Sequence, residues 1–290
     1  MLKLQDVTRK MGKEAVLGPI DLHIAPGTIT AIVGNNGAGK TTLFQAISGD
    51  YPGSGSVRVE GHSVHSIAGK AQLSYVPQTY PEVEAFRLTD LQKLHKEHDF
   101  SWQDDRFQAI ARQFKLPLKK PIQKLSVGMK QKAVIATQLA RKTNVKLLDE
   151  PFAGLDMEGQ SLVERLLLEE LEANPNATIV FATHVADEVQ RLADYVCFMH
   201  AGKLSEPVEK DWLQERWKYV WLQEALPGMD RAPGVEEVSV DPMPKILTRN
   251  ALETEAWVRE NDGTVVKRSS LRLHESIPHI LRKGEQNDDE

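Results

Sequence analysis

An α/β fold with a mainly parallel central sheet is what this sequence predicts, on three observations. Residues 28–33 (TITAIV) form a continuous apolar, β-branched run, followed by a glycine-rich stretch and a helix-forming segment at 42–48. Further short apolar runs at 73–76, 144–148 and 177–182 are separated by long segments with helical periodicity, the alternation that builds parallel sheets. These three runs end in polar residues, at Pro77-Gln78, Asp149-Glu150 and Thr183-His184. Open α/β sheets gather ligands at such strand ends.

The glycine-rich stretch is the most informative. Gly34, Asn35, Asn36, Gly37, Ala38, Gly39, Lys40, Thr41 and Thr42 fit the spacing of a phosphate-binding loop. Glycines let the backbone turn sharply and aim its N–H groups inward as an anion nest. The helix that follows adds its positive dipole end. Lys40 can then reach the β- and γ-phosphates of a nucleotide, and the Thr41 hydroxyl can ligate Mg²⁺.

Before the loop, 2–7 alternates as a strand, 9–14 reads as a charged turn, and 15–17 and 20–24 as two short strands. Residues 54–60 read as an edge strand. His62 and His65 are three apart but lack a third ligand nearby, which makes them surface histidines. Gln78, at a strand end, can orient water or complete a magnesium shell. Residues 88–114 divide into two helices near 99–102, and Pro117 and Pro121 enforce an irregular segment. Ser126 is a good N-cap for a helix running to about 141.

In the segment 144–148, Val145, Leu147 and Leu148 suit a buried strand, and Lys146 is an oddity within it. The segment leads to Asp149, placed to hold a metal, and Glu150, placed to accept a proton from an attacking water. A helix follows at 158–174. His184 ends the next strand and can contact a γ-phosphate or its developing charge. Beyond about 205 the composition changes, and four of five tryptophans lie there. A helix at 208–217, a strand at 219–222, a hairpin at 235–240 and 245–248, a helix at 251–260 and an extended segment at 264–273 make a small α/β appendage. The expected domains are therefore 1–205, 206–284 and an acidic tail, 285–290.

Composition excludes several classes. The chain has 290 residues, 41% apolar and 27% charged, as in an ordinary soluble globular protein. Net charge is −5, and the last six residues carry four acids, so the remainder sits near −1. That is not the basic footprint of a nucleic-acid binder, and no nucleic-acid partner is expected. Cys197 is the single cysteine, so no intrachain disulfide can form. No apolar run approaches the roughly 20 residues needed to span a bilayer, and the opening MLKLQDV lacks a signal pattern.

The order and spacing of these features resembles the ATP-binding subunit of ABC transporters over roughly residues 1–205. GNNGAGKTT looks like its phosphate loop, Gln78 its glutamine hinge, and LSVGM (125–129) its signature loop. LLDEP looks like the strand holding its magnesium aspartate and catalytic glutamate, AGLD (153–156) its dimer-contact loop, and His184 its switch histidine. The resemblance implies a P-loop ATPase core with an antiparallel β subdomain and a helical subdomain at about 80–140. It implies ATP and Mg²⁺, the metal held by Thr41, Gln78 and Asp149, with Glu150, His184 and Lys40 catalytic. It also implies a head-to-tail dimer, here a homodimer, in which Ser126 and Gly128 bind the partner's γ-phosphate. Separate membrane subunits would place the chain on the inner face of the cell membrane.

Two departures stand out. Val127 occupies a position where the family carries glycine, and Met11 replaces the usual adenine-stacking aromatic residue. The GMKQK run after Val127 and the C-terminal appendage resemble exporter ATPases more than importers. The alternatives are an ATPase of this family acting on nucleic acid or ribosomes, and a nucleotide-dependent clamp without turnover.

Overall fold

Strands joined by long helical crossovers return in the same direction and pair in parallel. The computed structural model describes residues 1–11, 14–50, 53–79 and 85–270, with the backbone alone at 11, 14, 15, 214 and 216. The chain begins β1 (Leu2–Met11), β2 (Glu14–Ile24), β3 (Thr28–Val33), α1 (Lys40–Ser48), β4 (Ser54–Val59), β5 (His62–Ser63), α2 (Ile67–Lys70) and β6 (Leu73–Val76). Three helices follow: α3 (Leu88–His98), α4 (Asp104–Gln113) and α5 (Val127–Leu139). Then come β7 (Val145–Asp149), α6 (Met157–Ala173), β8 (Thr178–Thr183), α7 (Ala186–Leu192), β9 (Tyr195–His200) and β10 (Lys203–Leu204).

β3, β8, β7 and β6 lie side by side in that order, all parallel. Their register sets the site. Val33 pairs with Thr183, Asp149 with Ala182, and Val76 with Leu148. The residues that follow each strand therefore emerge along one edge. A separate antiparallel sheet runs β2-β1-β4-β5. Between the sheets lies α1, whose Leu43, Phe44 and Ile47 join one buried cluster with Leu4, Leu22 and Val59 of one sheet and Ile32, Leu147 and Val180 of the other. Burying each such side chain contributes about 1.5–3 kcal/mol, so the loop before α1 is anchored from both sides.

The helical segment is tied by polar contacts as well as packing. Ser126 caps α5, its Oγ accepting from Met129 N at 3.3 Å. At the other end Arg141 donates to Asp99 Oδ2 at 2.7 Å and to the Leu73 carbonyl of β6 at 3.0 Å. His95 stacks on Trp102 at 4.8 Å.

Contacts divide the chain into two compact units, Met1–His184 with Cys197–Pro207, and Val185–Val196 with Val208–Glu290. The second contains β11 (Val208–Glu209), α8 (Lys210–Arg216), β12 (Lys218–Leu222), β13 (Val235–Ser239), β14 (Lys245–Thr248), α9 (Ala251–Glu260) and β15 (Val265–Ser270). Its antiparallel sheet runs β13-β14-β12-β15. Val220, Leu222, Ile246 and Val258 form its core.

The structure differs from the sequence reading at three places. The segments at 15–17 and 20–24 are one strand, β2. Gly18, at φ 79°, absorbs an irregularity, and pairing with β1 continues on both sides of it, Arg9 with Leu17 and Val7 with Ile20. The charged turn expected over 9–14 is narrower, because Arg9 to Met11 extend β1; Gly12 and Lys13 lie outside the described residues. The helix expected from 208 starts at Lys210, since Val208 and Glu209 pair with Val196 and Tyr195 instead. Residues 271–273 and the acidic tail lie outside the described residues. The short elements β5, α2 and β10 leave too few residues for periodicity to register.

Candidate functional site

The loop between β3 and α1 is shaped by close backbone contact. A Cβ on Gly34 would stand 2.3 Å from the Met199 carbonyl oxygen, and Gly39 adopts φ 110° as the N-cap of α1. Neither position accepts a side chain without displacement. Lys40 is 6% exposed. Its Nζ donates to the carbonyl oxygens of Gly34 at 2.7 Å and Asn35 at 3.2 Å. It also lies 3.6 Å from Glu150 Oε1.

Glu150 follows β7 with φ 47°, a left-handed conformation uncommon outside glycine. Its N–H donates to the Ala182 carbonyl at 3.0 Å, and its carbonyl accepts from Ala153 N at 3.1 Å. Backbone strain held in this way clusters at functional positions. The Glu150 side chain is 8% exposed, and His184 Nδ1 lies 2.9 Å from its Oε1. An ionised carboxylate only accepts, so the imidazole nitrogen donates. One carboxylate oxygen is thus held by a lysine from the glycine loop and a histidine from the end of β8.

Asp149 is the most informative residue. It is fully buried, and neither carboxylate oxygen has a hydrogen-bond partner among the described residues. Burial pushes its carboxyl above the usual carboxylate range. The Thr41 hydroxyl and Lys40 pull the other way, while the Glu150 charge adds to the rise. Two buried, orphaned oxygens beside a hydroxyl suit a hard divalent cation, which takes oxygen ligands. Among the described residues there is no cluster of three histidine, cysteine or acidic side chains. A cation here would therefore draw on Asp149, Thr41 and its substrate's oxygens.

The remaining expected site residues fall in five places. Thr41 and Gln78 both line a cleft of about 860 Å³, together with Tyr75, His95, Gln138 and Arg141. Ser126 and Gly128 are not among its lining residues; they sit at the start of α5, where Ser126 and Val127 are exposed. Met11 ends β1, but its side chain lies outside the described residues. Gly37, Asn35 and Asn36 are exposed on the loop and Ala38 is buried behind it. Thr42 lies in the first turn of α1. Sequence reasoning missed Gln131 and Lys132, which reach the segment after Glu150. Their helical spacing from Gly128 was the available signal.

A stability prediction follows from Asp149. Its raised pKa means the folded chain holds this proton longer than the unfolded chain. Its contribution to stability therefore falls as pH rises from the ordinary carboxylate range through the raised value. Asp149→Asn removes that unpaired charge. Without metal, the variant is expected to melt about 2–4 °C higher, near 1 kcal/mol, yet to gain nothing from magnesium with ATP. Scanning calorimetry with and without Mg²⁺-ATP checks both halves. A variant still stabilised as the parent is would remove Asp149 from the metal site.

Known proteins resemble this chain over much of its length. The family model described as ABC transporter matches residues 17–153. An uncharacterized ABC transporter ATP-binding protein, YybJ, of Bacillus subtilis (strain 168) is 32% identical over 213 residues, covering 70% of this chain and 94% of that protein. The bacitracin transport ATP-binding protein BcrA of Enterococcus faecalis is 29% identical, covering 74% of this chain and 71% of BcrA. The energy-coupling factor transporter ATP-binding protein EcfA2 of Ligilactobacillus salivarius (strain UCC118) is 32% identical, covering 65% and 70%. A solved ATP-binding subunit of an ABC transporter superposes with a TM-score of 0.68 at 24% identity, over 74% of this chain and 92% of that one, which shows the shared fold. With a glycine loop, an acidic pair and a histidine meeting at one sheet edge, this chain belongs to the ATP-binding subunits of ABC transporters, ATPases that power transport.

Proposed function

We propose that the chain hydrolyses ATP with Glu150 as general base and uses the resulting closure and opening of a head-to-tail homodimer to drive export through separate membrane subunits. The observation that carries the reading is the pair Asp149-Glu150: one carboxylate buried without a partner, the next gripped by Lys40 and His184. Loop N–H groups and Lys40 bind the phosphates. A phosphate oxygen offers Lys40 a stronger acceptor than the two carbonyls it now contacts. Glu150 takes the proton of the attacking water, and His184 orients its carboxylate and steadies charge near the γ-phosphate. Bound at Asp149, Thr41 and Gln78, Mg²⁺ would neutralise charge on the phosphoryl oxygens.

Ser126, exposed at the tip of α5, and Gly128 in the first turn complete the site of a second copy. The helix N-terminus favours an anion there. The cleft between β6 and the helical segment supplies a surface for a membrane subunit, because Gln78 and Thr41 line that same cleft. Among the described residues no helix is long and apolar enough to cross a membrane. In this reading the chain acts at the inner face of the cell membrane through those subunits. Export is favoured by the GMKQK run and by the C-terminal unit at about 206–284.

The test uses Glu150→Gln, which should bind ATP and fail to turn it over. Sedimentation is expected to show a dimer with Mg²⁺-ATP and a monomer with Mg²⁺-ADP. A monomer under both conditions would refute the homodimer.

A further inference from the structure

β6 carries a buried hydroxyl that the chemistry above does not use. Tyr75 pairs with Leu147 of β7. Successive side chains of a strand alternate between faces, so Tyr75, Leu147 and Asp149 share one face of the sheet. At ordinary strand spacing Tyr75 and Asp149, one strand over and two residues on, start roughly 8 Å apart, a gap that a phenol can cross. The face is the one that α1 covers: the Tyr75 ring meets Phe44 edge-on at 6.2 Å and packs against the cluster that holds Leu147. Tyr75 also lines the cleft that Thr41 and Gln78 share. Its hydroxyl oxygen is buried with no hydrogen-bond partner among the described residues, as are both Asp149 oxygens. Burial pushes Tyr75 above the usual phenol range, and the charges of Asp149 and then Asp50 push the same way. The hydroxyl therefore stays protonated at physiological pH, able both to donate and to accept. Unpaired buried polar atoms cost stability, and three of them on one sheet face mark a place where a ligand supplies the partners.

We propose that Tyr75 is a positioning residue of the divalent-cation site, its hydroxyl holding a water ligand of the cation against Asp149. The inference rests on the reading of Asp149 as the residue that holds the metal. Mg²⁺ parts with its waters reluctantly and keeps several of them when bound. Such a water has two protons to give. One goes to an Asp149 oxygen and the other to Tyr75 Oη. Groups that hydrogen-bond a metal's own ligands fix the orientation of those ligands, and losing one costs about 10–100-fold in metal affinity. Tyr75 acts through that water and touches neither the cation nor the phosphates. The ring's packing on Phe44 holds the hydroxyl in place before the metal arrives, and phenylalanine would keep that packing while losing the oxygen.

The experiment measures ADP binding to the full chain, Y75F and D149N by titration calorimetry, once with excess Mn²⁺ and once with the metal chelated. ADP keeps turnover out of the measurement. The melting temperature of each chain is taken without metal or nucleotide. Y75F is expected to bind ADP with Mn²⁺ about tenfold more weakly than the parent, and to bind ADP without metal as the parent does. Its melting temperature should be equal or higher, because an unpaired hydroxyl has gone. D149N should lose the gain from Mn²⁺. Three results would each overturn the role of Tyr75: parent-like binding with Mn²⁺ in Y75F, equal weakening with and without metal, or a melting temperature several degrees lower. With D149N still losing the gain, any of them leaves the metal at Asp149 in place. If D149N gains from Mn²⁺ as the parent does, or the parent gains nothing, the reading of Asp149 fails and the inference goes with it.

Discussion

Glu150→Gln is expected to slow phosphate release by about 10²–10⁴-fold, the usual contribution of a positioned general base, while ATP still binds. The substitution keeps the shape of the side chain and removes its capacity to take a proton. It also removes the charge facing Lys40 at 3.6 Å, which frees that ammonium for phosphate and should leave nucleotide affinity equal or tighter. Binding and turnover thus move apart, the signature of a group needed in the transition state and not in the ground state. His184→Ala should act in the same direction with a smaller effect, because it loosens the Glu150 carboxylate without abolishing its basicity. Single-turnover phosphate release and equilibrium binding of ATP to the same preparations separate the two quantities. Turnover by Glu150→Gln at the parent rate would remove Glu150 from the chemistry.

Much of this site was legible because its parts are local. The glycine loop announces itself by spacing, and β3 before it by an unbroken β-branched run. Asp149-Glu150 and Thr183-His184 could be placed at strand ends, and the parallel register then brings those ends level. What spacing cannot show is which side chains meet. That His184 and Lys40 share one oxygen of Glu150 depends on two strands and a loop far apart in sequence. The orphaned state of Asp149 is likewise a property of burial, invisible in LLDEP. The reading of 15–17 and 20–24 as separate strands failed for a related reason: Gly18-Pro19 signals a break, but tertiary pairing with β1 overrides it. Lys146 was visible as an anomaly in an apolar strand, and its explanation lay in Glu170, on the buried face of α6.

Those two residues supply the second large effect. Lys146 is 1% exposed, and its Nζ lies 3.2 Å from Glu170 Oε1, donating also to the Arg141 carbonyl at 3.0 Å and to Thr143 Oγ1 at 3.2 Å. The other oxygen of Glu170 pairs with Arg106 of α4. One buried carboxylate therefore serves two cations, joining β7, α6 and α4. Burial pulls the Lys146 ammonium down to about 8, against the opposing attraction of Glu170. Glu170→Leu strands both cations and is expected to cost about 3–5 kcal/mol, the range for breaking a buried pair from one side. Lys146→Met leaves Glu170 with Arg106, so its cost should be far smaller, and it can be stabilising. The pH dependence has a definite sign. Between about 8 and 10.5 the unfolded chain binds the Lys146 proton more than the folded chain does, so this group's contribution to stability rises with pH across that window. Lys146→Met should abolish that rise and leave the rest of the profile unchanged. Urea denaturation of the three chains from pH 7 to 10 reads all of these. Equal losses in Glu170→Leu and Lys146→Met would mean that the carboxylate is not the shared anchor. The strand that carries Asp149 would then owe its place to packing alone.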